Sequence, residues 1–173
     1  METSKKILAL DSSGLVASVA VVEGNSTYSN LLAEYTVNYK KTHSQTLLPM
    51  LDEIANMTEL DLTTIDAIAI AAGPGSFTGL RIGSATAKGL GLALKKPLIS
   101  IPTVDALAYN LYGTDRLICP IMDARRNQVY TGIYEFRGNT MEVLEPQMAV
   151  DIEVIAEKLC ERQQDVIFLG DGV

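Results

Sequence analysis

A chain of 173 residues with 47% hydrophobic side chains can bury a sizeable core, as one domain or as two small lobes, which excludes intrinsic disorder. Lysine and arginine total 14 against 21 aspartates and glutamates, a formal net charge of −7 with no long basic run, so unaided binding to nucleic acid is disfavoured. The opening METSKKILALDSS has too few apolar residues before Asp11 to form a secretory signal and reads as cytoplasmic.

Ile7 to Leu10, Ala17 to Val22 and Leu31 to Val37 are predicted strands, with Asp11-Ser12-Ser13-Gly14 turning the first pair. Two close basic pairs, Lys40-Lys41 and Arg125-Arg126, read most simply as solvated loop charge. Residues 43 to 57 are predicted helical. Leu47, Leu48, Leu51, Ile54 and Ala55 form the apolar stripe, Thr42 or Ser44 supplies the cap, and Pro49 sits in the first turn or makes a kink.

A buried strand from Ile65 to Ala71 then runs into the turn Gly73-Pro74-Gly75, after which Ser76 or Thr78 caps a helix reaching about Leu94. Along it Gly79, Gly83, Ala87 and Gly91 recur every four residues and share one face, a smooth groove where another backbone can approach closely. Each helical glycine costs about 0.5 to 1 kcal/mol relative to alanine, so Gly79, Gly83, Gly89 and Gly91 together give up about 2 to 4 kcal/mol. The protein's own core, a second copy of the chain or a different protein could each offset that. Arg81 and Lys88 interrupt the stretch and exclude a membrane-spanning helix pair.

A strand from Leu98 to Ile101 and a helix from Thr103 to Leu111 follow. The second part is read as a strand from Arg116 to Met122, a turn at 123–127, a strand from Gln128 to Phe136, a weaker one near Met141 to Leu144, a helix from Asp151 to Arg162 and a strand from Val166 to Leu169. The order β-β-β-α-β thus occurs twice. In each copy an aspartate ends the first strand, Asp11 or Asp123, and the last strand meets glycines, Gly73-Pro74-Gly75 or Gly170-Asp171-Gly172. Such a duplication predicts an α/β protein of two similar lobes, residues 1–102 and 103–173, with the aspartate turns facing a cleft.

This pairing resembles the actin, Hsp70 and sugar-kinase (ASKHA) superfold, whose aspartate-bearing turns clamp nucleotide phosphates. The resemblance implies a nucleotide site at Asp11, Ser12, Ser13 and Gly14, with Mg2+ on Asp11. Aspartates also favour tight turns for purely local reasons, because their side chains bond nearby amides. ATP-hydrolysing members carry glycines after the second aspartate, where this chain has Ala124, Arg125 and Arg126.

At finer grain four segments, in order, are similar to the bacterial TsaB family, also called YeaZ: LALDSSGLVASVAVVE, HSQTLLPML, AAGPGSFTGLRIGSATAKGLGLALKKPLISIPTVDALA and MDARRNQVYTGIYEF. That family takes part in making N6-threonylcarbamoyladenosine (t6A) at position 37 of tRNA. The resemblance implies a non-catalytic scaffold that activates a TsaD-type transferase, alongside a TsaE-type ATPase, with tRNA met through the complex. It further implies no cofactor of the chain's own, ATP and Mg2+ belonging to the complex. First-lobe helices of the family form a bundle with TsaD, and similar surfaces can form homodimers. If the two long helices of the first lobe lie side by side, the expected contact set is Leu47, Leu51, Ile54, Gly79, Gly83, Ala87 and Gly91, the small residues permitting approach below the usual spacing of about 8 to 10 Å. Arg125 and Arg126 are the candidates for contact with tRNA or TsaD. Family members continue beyond a GDGV segment, so the second lobe is expected to be incomplete.

The alternative is a nucleotide-hydrolysing enzyme of the kinase type. Residues 73 to 79, GPGSFTG, lack the Lys-Ser/Thr of a Walker motif and do not match a hydrolase elbow. TsaD-like relatives hold metal through histidines along the first helix, but this chain has one histidine, His43, and Leu47 stands where a second is expected. No metal is expected, and His43 reads as a helix-starting residue. Cys119 and Cys160 lack metal-type spacing and read as small buried hydrophobes.

Overall fold

The computed structural model describes residues 3–39 and 43–173, and the chain divides into two compact units, Met1–Ile101 and Pro102–Val173. Expectations resting on Lys40, Lys41 and Thr42 lie outside the described residues.

Three strands open the first unit, β1 (Lys5–Asp11), β2 (Ala17–Gly24) and β3 (Ser29–Val37), each antiparallel to the one before. Strand β4 (Ala67–Ala71) adds parallel to β1, and β5 (Leu98–Ile101) adds parallel to β4, giving the order β3-β2-β1-β4-β5. Alternation along the strands sends Leu8, Leu10, Val19, Val21, Ile68 and Ile70 into one core, beneath the two long helices of this unit.

The first of those helices, α1 (Leu47–Met57), is shorter than expected, because His43–Gln45 form a separate 3-10 turn before it. Thr46 divides the two, its hydroxyl donating to the His43 carbonyl oxygen at 3.3 Å. Pro49 is the third residue of α1, where its missing N–H costs no intrahelical bond, so the first-turn reading holds. The buried stripe is Leu47, Met50, Leu51 and Ile54, with Leu48 left 51% exposed. The second helix, α2 (Phe77–Leu94), starts at Ser76, whose hydroxyl accepts from the Gly79 amide at 3.3 Å. It ends at Lys95 in a left-handed conformation, and Lys96 N–H closes on the Gly91 carbonyl oxygen.

The second unit comprises α3 (Thr103–Tyr109), β6 (Leu117–Arg125), β7 (Gln128–Arg137), β8 (Thr140–Asp151), α4 (Ile152–Arg162) and β9 (Val166–Leu169). Its sheet has the order β8-β7-β6-β9, with β9 parallel to β6 and the other pairs antiparallel. Strand β6 is buried on both sides: Leu117, Cys119 and Ile121 pack with Ile155 and Leu159 of α4, while Ile118 and Met122 pack with Val104 and Ala108 of α3. On the α3 side Tyr134 is fully buried and donates to Asp105 Oδ1 at 2.7 Å; burial and that carboxylate push its phenol far above the usual range. Strand β8 is three times the length expected, since Pro146 breaks the apolar alternation that defines a strand in sequence. As the edge strand it tolerates a residue without an N–H, and the β7–β8 register shifts near that point.

Candidate functional site

The turn after β1 is held from every side. Asp11 Oδ1 accepts from the Ser13 amide at 2.7 Å, the Ser12 hydroxyl donates to the Gly79 carbonyl oxygen at 2.9 Å, and the Ser76 amide donates to the Ser13 carbonyl oxygen at 2.6 Å. His43 Nε2 lies 2.8 Å from the Gly14 carbonyl oxygen, a pairing that requires the proton on Nε2. His43 therefore fastens the start of the 3-10 turn to the Asp11–Gly14 turn. Ser12 and Ser13 are buried, and the Ser12 hydroxyl and Ser13 amide already have partners inside the chain. Asp11 is partly exposed and keeps a second carboxylate oxygen for any cation or nucleotide.

The second unit repeats the arrangement. Asp123 Oδ1 accepts from the Arg125 amide at 2.7 Å, and the Gly172 amide donates to the Ile121 carbonyl oxygen at 3.0 Å. Gly170, at φ 118°, lies so close to the Ile121 carbonyl that a Cβ would strike its oxygen, as one at Gly75 would strike that of Ser13. In both units the closing glycines clasp the backbone near the end of the first strand. Arg125, Arg126 and Asn127 form the β6–β7 turn at φ 66°, 56° and 61°, and both arginine side chains are exposed without an ion pair among the described residues. Among the described residues no three of His, Cys, Asp and Glu cluster as metal ligands, and no helix is long and apolar enough to cross a membrane.

The expected docking set needs correction. Leu47, Leu51, Ile54 and Ala87 are at most 4% exposed, and Gly79, Gly83 and Gly91 are buried as well. A Cβ at Gly79 would strike the Ser12 carbonyl oxygen, one at Gly83 would meet the Ser12 hydroxyl and the Ile70 methyl, and one at Gly91 would sit 2.9 Å from Leu98 Cδ2. The bare face lets α2 settle onto its own sheet and onto the Asp11 turn, so the chain's own core offsets the cost of Gly79, Gly83 and Gly91.

The outward side of α2 carries Ala85, Gly89 and Leu92, all exposed, Leu92 by 83%. A Cβ at Gly89 would have nothing within 4 Å, and α1 adds the exposed Leu48 and Met57. Gly89 stands off the four-residue row, which is the signal in the sequence that a second, open face exists.

Two units with the same β-β-β-α-β order and the same closing clasp define an α/β protein of the actin, Hsp70 and sugar-kinase class. Residues 30–172 match the family model of TsaD, tRNA N6-adenosine threonylcarbamoyltransferase. The chain is 36% identical over 164 residues to the tRNA threonylcarbamoyladenosine biosynthesis protein TsaB of Bacillus subtilis (strain 168), covering 95% of this chain and 70% of that protein. Against the protein of that name from Escherichia coli (strain K12) it is 30% identical over 177 residues, covering 96% and 71%. Among solved structures it is similar to YeaZ from Pseudomonas aeruginosa, with a TM-score of 0.73 and 30% identity over 84% of this chain and 67% of that one. The chain belongs to the TsaB (YeaZ) family.

Proposed function

We propose that this chain is a non-catalytic subunit in the biosynthesis of N6-threonylcarbamoyladenosine at position 37 of tRNA, where it holds and activates a TsaD-type transferase. The observation that carries the reading is the likeness to TsaB proteins over nearly the whole chain. The Asp11 turn supports it, since the Ser12 hydroxyl and Ser13 amide serve the helix–sheet contact and the turn itself. On this reading the docking surface is the outward side of α1 and α2, with Leu48, Gly89 and Leu92 at its centre, and Gly89 admits a partner helix at close range. The same surface would serve a homodimer. ATP, Mg2+ and a TsaE-type ATPase belong to the complex, which works in the cytoplasm and brings tRNA to the vicinity of Arg125 and Arg126.

Co-purification with a TsaD-type subunit, followed by a tRNA modification assay with and without this chain, tests the reading. The parent chain pairs and is required for modification. Gly89→Leu keeps the parental circular dichroism spectrum but loses pairing, whereas Gly83→Leu perturbs the fold itself. Modification that proceeds unchanged without the chain, or turnover of Mg-ATP by the isolated chain, would overturn it.

A further inference from the structure

Strand β5 ends its sheet, so among the described residues one of its edges has no ladder partner. The Pro97 and Ile101 carbonyl oxygens accept from the Ile68 and Ala72 amides, which fixes the side of β5 turned toward β4. By the alternation of a parallel ladder, the amides and carbonyls of Leu98 and Ser100 face the open side. Unprotected edges of this kind are templates for a further strand.

Beside this edge a groove of about 550 Å3 runs between the sheet and α2. Ile70 and Leu80 form its apolar floor, Ser100 its strand wall, and Phe77, Arg81 and Lys88 its helix wall. Phe77 is 74% exposed and Arg81 lies over its ring, 5.3 Å from the centroid. Among the described residues neither Arg81 nor Lys88 has an ion pair, and no carboxylate lines the groove, although the chain as a whole carries −7. Two unpaired cations, an apolar floor and free strand groups therefore meet in one place.

We propose that this groove captures an extended acidic segment of a partner protein as a sixth strand on β5. Backbone groups of the segment pair with Leu98 and Ser100. Its side chains on the α2 side carry carboxylates to Arg81 and Lys88, and those on the other side lay apolar surface on the half-exposed Ile99. A strand alternating acidic and apolar residues satisfies all three features. A polynucleotide offers no alternating amide and carbonyl groups to the edge, and two cations on an acidic chain hold few phosphates. Ala85 lines this groove as well as the outward side of α2, so the two surfaces adjoin, but only the groove uses Arg81, Lys88 and the β5 edge. The test below needs no TsaD-type subunit, so its failure is distinguishable from failure of the proposed function.

The probe is a fluorescein-labelled, acetylated peptide of alternating glutamate and valine, titrated into the full chain at low salt and read by anisotropy. Binding is expected, with slowed amide exchange at Leu98 and Ser100. Arg81→Glu combined with Lys88→Glu, two surface changes, should weaken it by about tenfold or more, and N-methylation of alternate peptide amides should abolish it. No binding at about 1 mM peptide, equal binding by the double variant or by the N-methylated peptide, or preference for a single-stranded oligonucleotide would overturn the proposal.

Discussion

A single methyl group added at two places on α2 should have opposite effects. Gly79 is the third residue of the helix; its amide bonds the Ser76 cap and its carbonyl oxygen accepts the Ser12 hydroxyl. A Cβ there strikes the Ser12 carbonyl oxygen and sits 3.2 Å from the Ser12 carbonyl carbon and 3.4 Å from His43 Cδ2. The obstacle is backbone, in a turn anchored by its bonds to Asp11 and Ser76, so it yields only if α2 or the turn moves. Overpacking of this kind costs about 1 to 3 kcal/mol, and a backbone obstacle argues for the upper end. Replacing a helical glycine by alanine returns about 0.5 to 1 kcal/mol, leaving Gly79→Ala destabilised by about 2 kcal/mol. At Gly89 nothing lies within 4 Å, so Gly89→Ala keeps the propensity gain and is stabilised by about 0.5 to 1 kcal/mol. Urea unfolding followed by far-ultraviolet circular dichroism measures both, the chain having no tryptophan to report by fluorescence. A Gly79→Ala chain as stable as the parent, or a Gly89→Ala chain less stable, would refute the assignment of the two faces.

Two further predictions concern the second unit. Glu145 on β8 accepts from Lys158 at 3.0 Å and Arg162 at 3.2 Å on α4, bonds that hold its carboxyl below the ordinary glutamate range. A lowered folded-state pKa gives stability that is present above the unfolded value and is lost as pH falls through the folded one. Glu145→Gln should therefore be less stable than the parent at neutral pH, by less than about 1 kcal/mol for a surface cluster, with the gap closing in acid; a gap that persists at pH 2, well below the ordinary glutamate value of about 4.3, would count against the ion pairs as its source. Cys119 is fully buried, 3.3 Å from the Thr131 hydroxyl, and burial pushes its thiol up, whereas Cys160 is exposed. A disulfide-exchange reagent should titrate one thiol quickly in the native chain and the second only in denaturant, and two equally fast thiols would contradict the core placement of β6.

Most of the architecture was legible because alternation and the four-residue repeat are direct images of strand and helix geometry. The duplicated β-β-β-α-β order emerged from strand spacing and the paired aspartate turns, and the topology of both sheets bears it out. What escaped depended on tertiary context. The α1 stripe differs from its sequence reading because Met50 is buried where Leu48 is not and Ala55 is only partly buried, and hydrophobicity alone does not separate Leu48 from Met50, a half-turn apart. Cys160 read as buried and is exposed, since a lone cysteine carries no pattern. Strand β8 was cut short by Pro146, whose tolerance there follows from an edge position that no local signal reports.

The glycine row shows the same limit most plainly. A helix with a small residue every fourth position presents the same smooth surface to a foreign helix or to its own sheet, and periodicity cannot say which arrives first. What decides is the chain's own turn: the Ser12 hydroxyl reaches Gly79, and the Ser76 amide reaches Ser13, which draws the row against β1 and β4. A substitution in that row disturbs the Asp11 turn and any docking surface together, so loss of a partner in such a variant would not locate the partner. Gly89 separates the two effects, because it is bare on a side that the sheet does not use. Pairing that is lost in Gly89→Leu and kept in Gly89→Ala would assign the outward side of α2 to the partner through steric closeness rather than through stability.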